Sequence, residues 1–167
     1  MRIIIGADLV PTESNIEFFK SGDVKTLIGE ELLEQLNNAD YTIFNLEVPL
    51  TDEKHPIVKC GPNLIAPTAA IVGLKAINSH FFGLANNHIL DQGVEGLEST
   101  VKVLNEAEID YSGVGKNFDE ASKPFIKEIG GKKIGIYCCA EHEYSIVTDS
   151  KAGANPFDAL ESLDHIV

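Results

Sequence analysis

The segment HFFGLANNHILDQG, residues 80–93, joins an apolar run to a polar turn and to the start of a helix. Residues 80–85 predict a strand, because a short apolar run bounded by turn-forming residues is typical of a buried strand. Apolar residues recur at helical spacing over residues 94–104, which predicts a helix directly afterwards. The Asn-Asn-His sequence of residues 86–88 lies between these two elements. The segment therefore predicts an α/β arrangement with polar side chains at the end of a strand.

Two further predicted strands also end in polar residues. Residues 2–7 are an apolar run that closes on Asp8, and residues 41–46 are a second apolar run that closes on Glu47. In α/β sheets, ligand sites gather at the carboxyl ends of the strands, where the loops leave the sheet. We therefore expect Asp8, Glu47 and the Asn-Asn-His turn to lie at one edge of one sheet.

The other predicted elements follow from periodicity and from turn-forming residues. Apolar residues at helical spacing predict helices, Pro and Gly predict loops, and a Gly-Gly pair between two apolar runs predicts a hairpin. These elements are helices over residues 24–36 and 68–77, loops over 10–22 and 48–66, a hairpin of 124–129 with 132–140, and a helix from Pro156 toward Val167. We interpret the loop over residues 48–66 as extended and facing a ligand.

Composition restricts the class of partner. The chain has 13 basic and 26 acidic residues, a net charge of −13, which disfavours binding to nucleic acid. Arg2 is its only arginine, so recognition of phosphate by paired guanidinium hydrogen bonds is scarcely available. Either the substrate is not strongly anionic, or a bound cation inverts the local potential.

Apolar runs in the sequence are too short for a signal peptide or a transmembrane helix. We therefore expect a chain without a membrane segment that is cytoplasmic as given, unless a leader has been removed. With 44% hydrophobic residues among 167, the sequence fits one globular domain over residues 1–167.

Asp8, Glu47 and Asn87 are the candidate metal ligands. Carboxylate and amide oxygens suit Mg²⁺ or Mn²⁺, and an added imidazole such as that of His88 would also admit Zn²⁺ or Fe. Each residue alone has a simpler explanation: Asp8 as a turn former, Glu47 as a solvated loop residue, and the asparagines as left-handed turn residues. Asp91 could likewise be only the N-cap of the following helix.

Weaker candidates flank this group. His142, between Glu141 and Glu143, follows a predicted strand and could join the rim of the site or be a solvated loop histidine. Lys54 and Lys59 could place positive charge over the site, although flexible surface lysines explain them equally well.

Three segments together resemble a known family: Gly-Ala-Asp at residues 6–8, Asn-Leu-Glu-Val-Pro at 45–49, and Leu-Ala-Asn-Asn-His-Ile-Leu-Asp-Gln-Gly at 84–93. The sequence resembles the bacterial capsule and poly-γ-glutamate biosynthesis (CapA-type) family over about residues 2–140. Its fold is similar to that of calcineurin-like metallophosphatases. The Asn-Asn-His-x-x-Asp-x-Gly element is specific, whereas the other two segments are weak singly.

The resemblance implies an α/β sheet sandwich of the calcineurin-like metallophosphatase type, flanked by helices. It also implies roles for the site residues: Glu47 bridges or ligates metal, Asp8 and Asn87 ligate it, and His88 acts as an acid near the leaving group. Asn45, Asn86, Asp91 and His142 are expected to contact the substrate or to support the ligands. Members of the family can be associated with the cell envelope.

This sequence departs from the family pattern at two places. Ala7 separates Gly6 from Asp8, and Val10 stands where metallophosphatases place a histidine ligand. A His-x-Gly motif of the longer family domain has no counterpart before Val167. We therefore expect only the N-terminal part of the domain, with a partial ligand shell that binds a divalent metal (Mn, Mg, Zn or Fe) weakly.

The sequence leaves three functional hypotheses open. The first is a metal-dependent hydrolase of a phosphoester or a γ-glutamyl-type bond, which would take an anionic polymer or a small phosphoester as its substrate. The second is a non-catalytic component of a capsule or polyglutamate assembly system that binds polymer. The third is an α/β binding domain in which the Asn-Asn-His turn is purely structural. Self-association into a homo-oligomer also stays open.

Overall fold

A central sheet of four parallel strands organises the chain in the computed structural model, which describes residues 1–143 and 145–166. Its strands lie in the order β1, β2, β3, β4, with bounds Ile3–Leu9, Tyr41–Leu46, Phe81–Gly83 and Asp110–Ser112. Two small antiparallel pairs accompany it: β5 (Val114–Gly115) with β8 (Gly153–Ala154), and β6 (Phe125–Ile129) with β7 (Lys132–Ile136).

Helices connect these strands and are mostly short. They are α1 (Ile16–Ser21), α2 (Val24–Ile28), α3 (Glu30–Asn37), α4 (Ile71–Ala76), α5 (Gly93–Glu106), α6 (Phe118–Ala121) and α7 (Glu161–Ile166), with a 3₁₀ turn at Thr68–Ala70. None of the helices within residues 1–143 and 145–166 is long and apolar enough to cross a membrane.

Both faces of the central sheet are covered, which is why its strands read as continuous apolar runs. On one face, Phe44 and Phe82 pack in the main core with apolar residues of α1 to α5. On the other face, Tyr41 and Phe81 pack against the β6–β7 hairpin through Ile129. The structure confirms the α/β class, and the four-stranded parallel sheet flanked by helices is consistent with part of a calcineurin-like domain.

The register of the sheet carries the predicted site residues to one edge. Asp8 of β1 pairs with Asn45 of β2, and Asn45 pairs with Gly83 of β3. Between Ile5 and Asp8 the register shifts, because β1 contains one more residue than the facing part of β2. Such a bulge re-aims the side chains that follow it. The shift therefore sets the direction of Asp8.

Gly6 lies within that bulge, where β1 passes close to Phe44. A Cβ atom at residue 6 would lie 2.3 Å from Cδ1 of Phe44 and would force the ring to move. Glycine at this position therefore allows the edge strand to approach β2 while the Phe44 ring keeps its place in the core.

Several predicted elements differ from the observed ones. The predicted loop over residues 10–22 contains α1, and the predicted helix over 24–36 is two helices, because Gly29 adopts φ 81° and ψ 157° between them. The hairpin is confirmed, with positive φ at Gly130 and Gly131, although β7 ends at Ile136. The predicted C-terminal helix corresponds to α7, and its predicted end at Val167 lies outside the described residues. The assignment of residues 1–167 to one domain stays a prediction.

Replacement of Phe82 tests whether the core beneath the site is organised around β3. Phe82 has no exposed surface, so we expect Phe82→Ala to lower the free energy of unfolding by about 3–5 kcal/mol in urea denaturation. The matched control is Val58→Ala, at a fully exposed position, which should change it by less than ~0.5 kcal/mol. A cost below ~1 kcal/mol for Phe82→Ala would contradict this packing.

Candidate functional site

Three strand ends meet at the candidate site. Asp8 is the next-to-last residue of β1, Glu47 directly follows β2, and the Asn-Asn-His turn begins three residues after β3. Asp8 is exposed, Glu47 is partly buried and Asn86 is buried. The edge is therefore open on the side of Asp8 and closed on the side of Asn86.

Side-chain amides link β1 to the turn. Asn45 donates from Nδ2 to Oδ1 of Asp8 at 2.8 Å, and Asn86 donates from Nδ2 to Oδ1 of Asn45 at 3.1 Å and to the Leu46 carbonyl at 2.9 Å. The Asn86 Oδ1 atom accepts the His88 backbone N–H at 3.0 Å. Asn45 and Asn86 thus use their amide groups on one another and on their neighbours, so they support the site.

Asp8 and Glu47 bring two carboxyl groups into hydrogen-bonding contact. Partial burial raises the pKa of Glu47, and the Asp8 carboxylate raises this pKa further by charge repulsion and by that hydrogen bond. His88 opposes the shift, with its Nε2 atom 3.7 Å from Oε1 of Glu47. A pair of this kind favours either a shared proton or a cation between the two groups.

The Asp91 carboxylate contacts three other groups of the site. Its side chain has no exposed surface, and its Oδ2 atom accepts the Leu64 backbone N–H at 2.6 Å and lies 2.6 Å from Nδ1 of His88. Its Oδ1 atom forms an ion pair with Lys59. Helix α5 has Gln92 at its N-cap position and no side-chain cap, so the interpretation of Asp91 as a simple N-cap is wrong.

The contact with Asp91 decides which ring nitrogen of His88 carries the proton. An ionised carboxylate only accepts hydrogen bonds, so Nδ1 of His88 is the protonated atom when it binds Oδ2 of Asp91. The Nζ atom of Lys59 is 3.2 Å from the same Nδ1, but an ammonium group only donates and cannot bond an N–H. Nε2, the other ring nitrogen, therefore faces Glu47 and is the atom that can gain or give a proton.

Lys59 lies at the site, where the sequence left open whether it places positive charge there or is a surface lysine. Its side chain is 2% exposed and is paired with Asp91, whereas Lys54 on the same loop is exposed. The surface-lysine interpretation therefore holds for Lys54 and is wrong for Lys59. Nothing in the spacing or in the flanking residues of Lys59 distinguishes it, since Val58 and Cys60 on either side are exposed.

The loop that carries Lys59 is fastened to the start of α5. The Ile57 N–H donates to the Asp91 carbonyl at 3.1 Å. Gln92 donates from Nε2 to the Leu64 carbonyl at 2.9 Å and accepts the His55 N–H at 2.9 Å. The predicted ligand-facing loop thus lies against the Asn-Asn-His turn. In these contacts the loop contributes backbone groups.

Asn87 and His142 have fewer contacts. Asn87 is partly buried between Asn86 and His88, and its side chain makes no hydrogen bond with the described residues. His142 is exposed and interacts electrostatically with Asp158. Within residues 1–143 and 145–166 it has no hydrogen bond or ion pair with the carboxylates of the site. Both proposed roles, Asn87 as a ligand and His142 on the rim, stay predictions.

The donor set at this edge is rich in oxygen and incomplete. Among the described residues, no group of three or more His, Cys, Asp or Glu side chains is arranged to hold a metal ion. Two carboxylates with an amide oxygen fit a hard cation such as Mg²⁺ or Mn²⁺, which keeps several of its waters. Zn²⁺ sites take three or four protein ligands, usually with nitrogen or sulfur, and fit this arrangement less well.

Glu47→Gln tests the repulsion between the two carboxyl groups. A raised pKa in the folded state means that stability from Glu47 is present below its unfolded pKa and is lost as pH rises through the folded value. In EDTA we therefore expect Glu47→Gln to raise Tm by roughly 1–4 °C at pH 7.5 and by less near pH 4.5. Glu34→Gln, at an exposed residue of α3, is the control. A lower Tm for Glu47→Gln at pH 7.5 would show that the pair attracts.

Comparison with known proteins identifies the family. The family model for bacterial capsule synthesis proteins (PGA_cap) matches residues 3–165. The capsule biosynthesis protein CapA of Bacillus anthracis is 32% identical over 102 residues, which are 59% of this chain and 25% of that protein. A probable polyglutamine synthesis accessory protein of Mycobacterium tuberculosis is 32% identical over 131 residues, 74% of this chain and 33% of that protein.

This chain thus spans about a quarter to a third of the length of the curated relatives that it matches. The family match, by contrast, covers nearly every residue of the chain, including all three strand ends and the loop that carries Lys59. The chain belongs to the bacterial capsule synthesis protein family.

Proposed function

We propose that this chain forms part of a metal-dependent hydrolase of capsule or poly-γ-glutamate biosynthesis, which cleaves a phosphoester or a γ-glutamyl-type amide bond. The observation that carries the proposal is the contact between the Asp8 and Glu47 carboxyl groups beside the His88 ring. A structural turn has no need of two carboxyl groups in contact, since their repulsion destabilises the fold.

Asp8 and Glu47 would hold the cation, and the side-chain oxygen of Asn87 would supply a third ligand. Asn87 fits this role because its amide makes no hydrogen bond with the described residues, unlike the amides of Asn45 and Asn86. When bound, a divalent cation polarises the scissile group and lowers the pKa of water.

His88 would supply the proton for the leaving group. Oδ2 of Asp91 accepts the hydrogen bond from Nδ1–H and so orients the ring. Nε2 then carries the transferable proton on the side of Glu47, next to the cation ligands. General acids placed in this way contribute roughly 10²- to 10⁴-fold to a rate.

Charge at the site supports a requirement for the cation. The side chain of Lys59 is 2% exposed and its ammonium group is paired with Asp91, so the negative charge of Asp91 offsets its positive charge. Asp8 and Glu47 repel anions, and the chain carries a net charge of −13. An anionic polymer or phosphoester would therefore approach this edge only after a bound cation had reversed its potential.

A second candidate is a non-catalytic component that binds polymer within the same assembly system. The incomplete ligand set of the described residues favours it, as does the word "accessory" in the name of the mycobacterial relative. In that case the same edge would bind an anionic polymer through a bound cation, without hydrolysing it.

Titration calorimetry with Mn²⁺ tests the proposed ligands. We expect weak binding, with Kd of roughly 10⁻⁴–10⁻³ M, because few protein ligands and many waters complete the shell. Asp8→Asn and Glu47→Gln should each weaken binding about tenfold or more, equivalent to ~1.4 kcal/mol. The matched control, Glu34→Gln, removes an exposed carboxylate elsewhere and should bind as the wild type does. Equal affinities for all four proteins would overturn the assignment.

Turnover separates the hydrolase from the polymer-binding component. Hydrolysis of p-nitrophenyl phosphate and of γ-glutamyl-p-nitroanilide would be measured with and without Mn²⁺. Mn²⁺-dependent turnover that falls about 10²-fold or more in His88→Gln supports the hydrolase. Mn²⁺ binding without turnover of either compound supports the second candidate.

A further inference from the structure

We propose that Lys59 is a positioning residue of this site: through Asp91 it fixes the orientation and the protonated nitrogen of the His88 ring. The inference rests on the proposed function, in which His88 transfers a proton from Nε2. It assigns a role to a buried residue of the loop over residues 48–66.

Lys59 is a buried lysine. Its side chain is 2% exposed, and lysine is almost never fully buried unless it is paired. Its neighbours Val58 and Cys60 are exposed, whereas the Lys59 side chain points into the protein. Burial of an ammonium group costs free energy of desolvation, so a buried lysine needs a partner of opposite charge.

Asp91 is that partner, and its two oxygen atoms have different tasks. Oδ1 pairs with the ammonium group, while Oδ2 receives the Leu64 N–H and the Nδ1–H of His88. The ion pair with Lys59 fixes the position of this fully buried carboxylate, and an ionised carboxylate can only accept hydrogen bonds. Nδ1 of His88 therefore keeps its proton, and Nε2 is left to face Glu47.

Removal of the ammonium group should release this arrangement. Without Lys59, Oδ1 of Asp91 loses its charged partner, so the carboxyl group can turn and break its bond with Nδ1 of His88. Either ring nitrogen of His88 can then carry the proton. Lys59 thus acts on the proton-transferring atom through Asp91.

Nitrogen NMR of the imidazole rings tests this directly in metal-free protein labelled with ¹⁵N-histidine. The signals of His88 are assigned by their loss in His88→Gln. At a pH where the ring is neutral, the wild type should show a protonated (pyrrole-type) Nδ1 and an unprotonated (pyridine-type) Nε2. In Lys59→Met the two types should exchange positions or average. Lys59→Arg should restore the wild-type pattern, and Lys54→Met, which removes an exposed lysine of the same loop, should leave it unchanged.

Two outcomes would overturn the proposal: a folded Lys59→Met with the wild-type His88 spectrum, or a wild type with the proton on Nε2. If Lys59→Met does not fold, amine acylation of the wild type remains decisive. Lys59 should resist acylation under conditions that modify Lys54, and equal modification of both would contradict the buried pair. Because the protein is metal-free, these results are independent of Mn²⁺ binding, which tests the proposed function separately.

Discussion

The carboxylate of Asp91 has no exposed surface, and three groups from two parts of the chain converge on it. The loop contributes the Lys59 ammonium group and the Leu64 N–H, and the Asn-Asn-His turn contributes Nδ1 of His88. Loss of one partner of a buried ion pair typically costs about 3–5 kcal/mol, since the other charge stays behind in the protein. The loop over residues 48–66 and the His88 ring therefore depend on the same carboxylate for their positions.

Parallel pairing supplies the other half of the site. Asp8 and Asn45 are direct register partners, and Asn86 continues the chain of amide hydrogen bonds beyond β3. The bulge at Gly6 turns Asp8 toward Glu47, so the contact between the two carboxyl groups follows from backbone geometry. Strands β1 and β2 thus place the proposed ligands Asp8 and Glu47, and the loop over residues 48–66 holds the turn that carries Asn87 and His88.

The convergence of Asp8, Glu47 and the Asn-Asn-His turn could be predicted, because strand ends in an α/β sheet share an edge and apolar runs mark the strands. The burial of Lys59 could not be predicted, since its partner Asp91 lies 32 positions away, beyond the Asn-Asn-His turn, and no local pattern encodes that contact.

Strand β4 could not be predicted for a similar reason. Its three residues, Asp110–Ser112, form a strand only by pairing with β3. The helix break at Gly29 depends on a positive φ that glycine permits but does not impose.

The central claim is that a divalent cation binds between Asp8, Glu47 and the turn that carries His88. Paramagnetic broadening by substoichiometric Mn²⁺, followed in the amide NMR spectrum, locates the ion in the intact chain. We expect the amide signals of Asp8, Glu47 and residues 86–88 to disappear first. Those around Lys127, next to Asp110 at the opposite end of the sheet, should persist. Uniform broadening over the acidic surface, or broadening centred on Lys127, would contradict it.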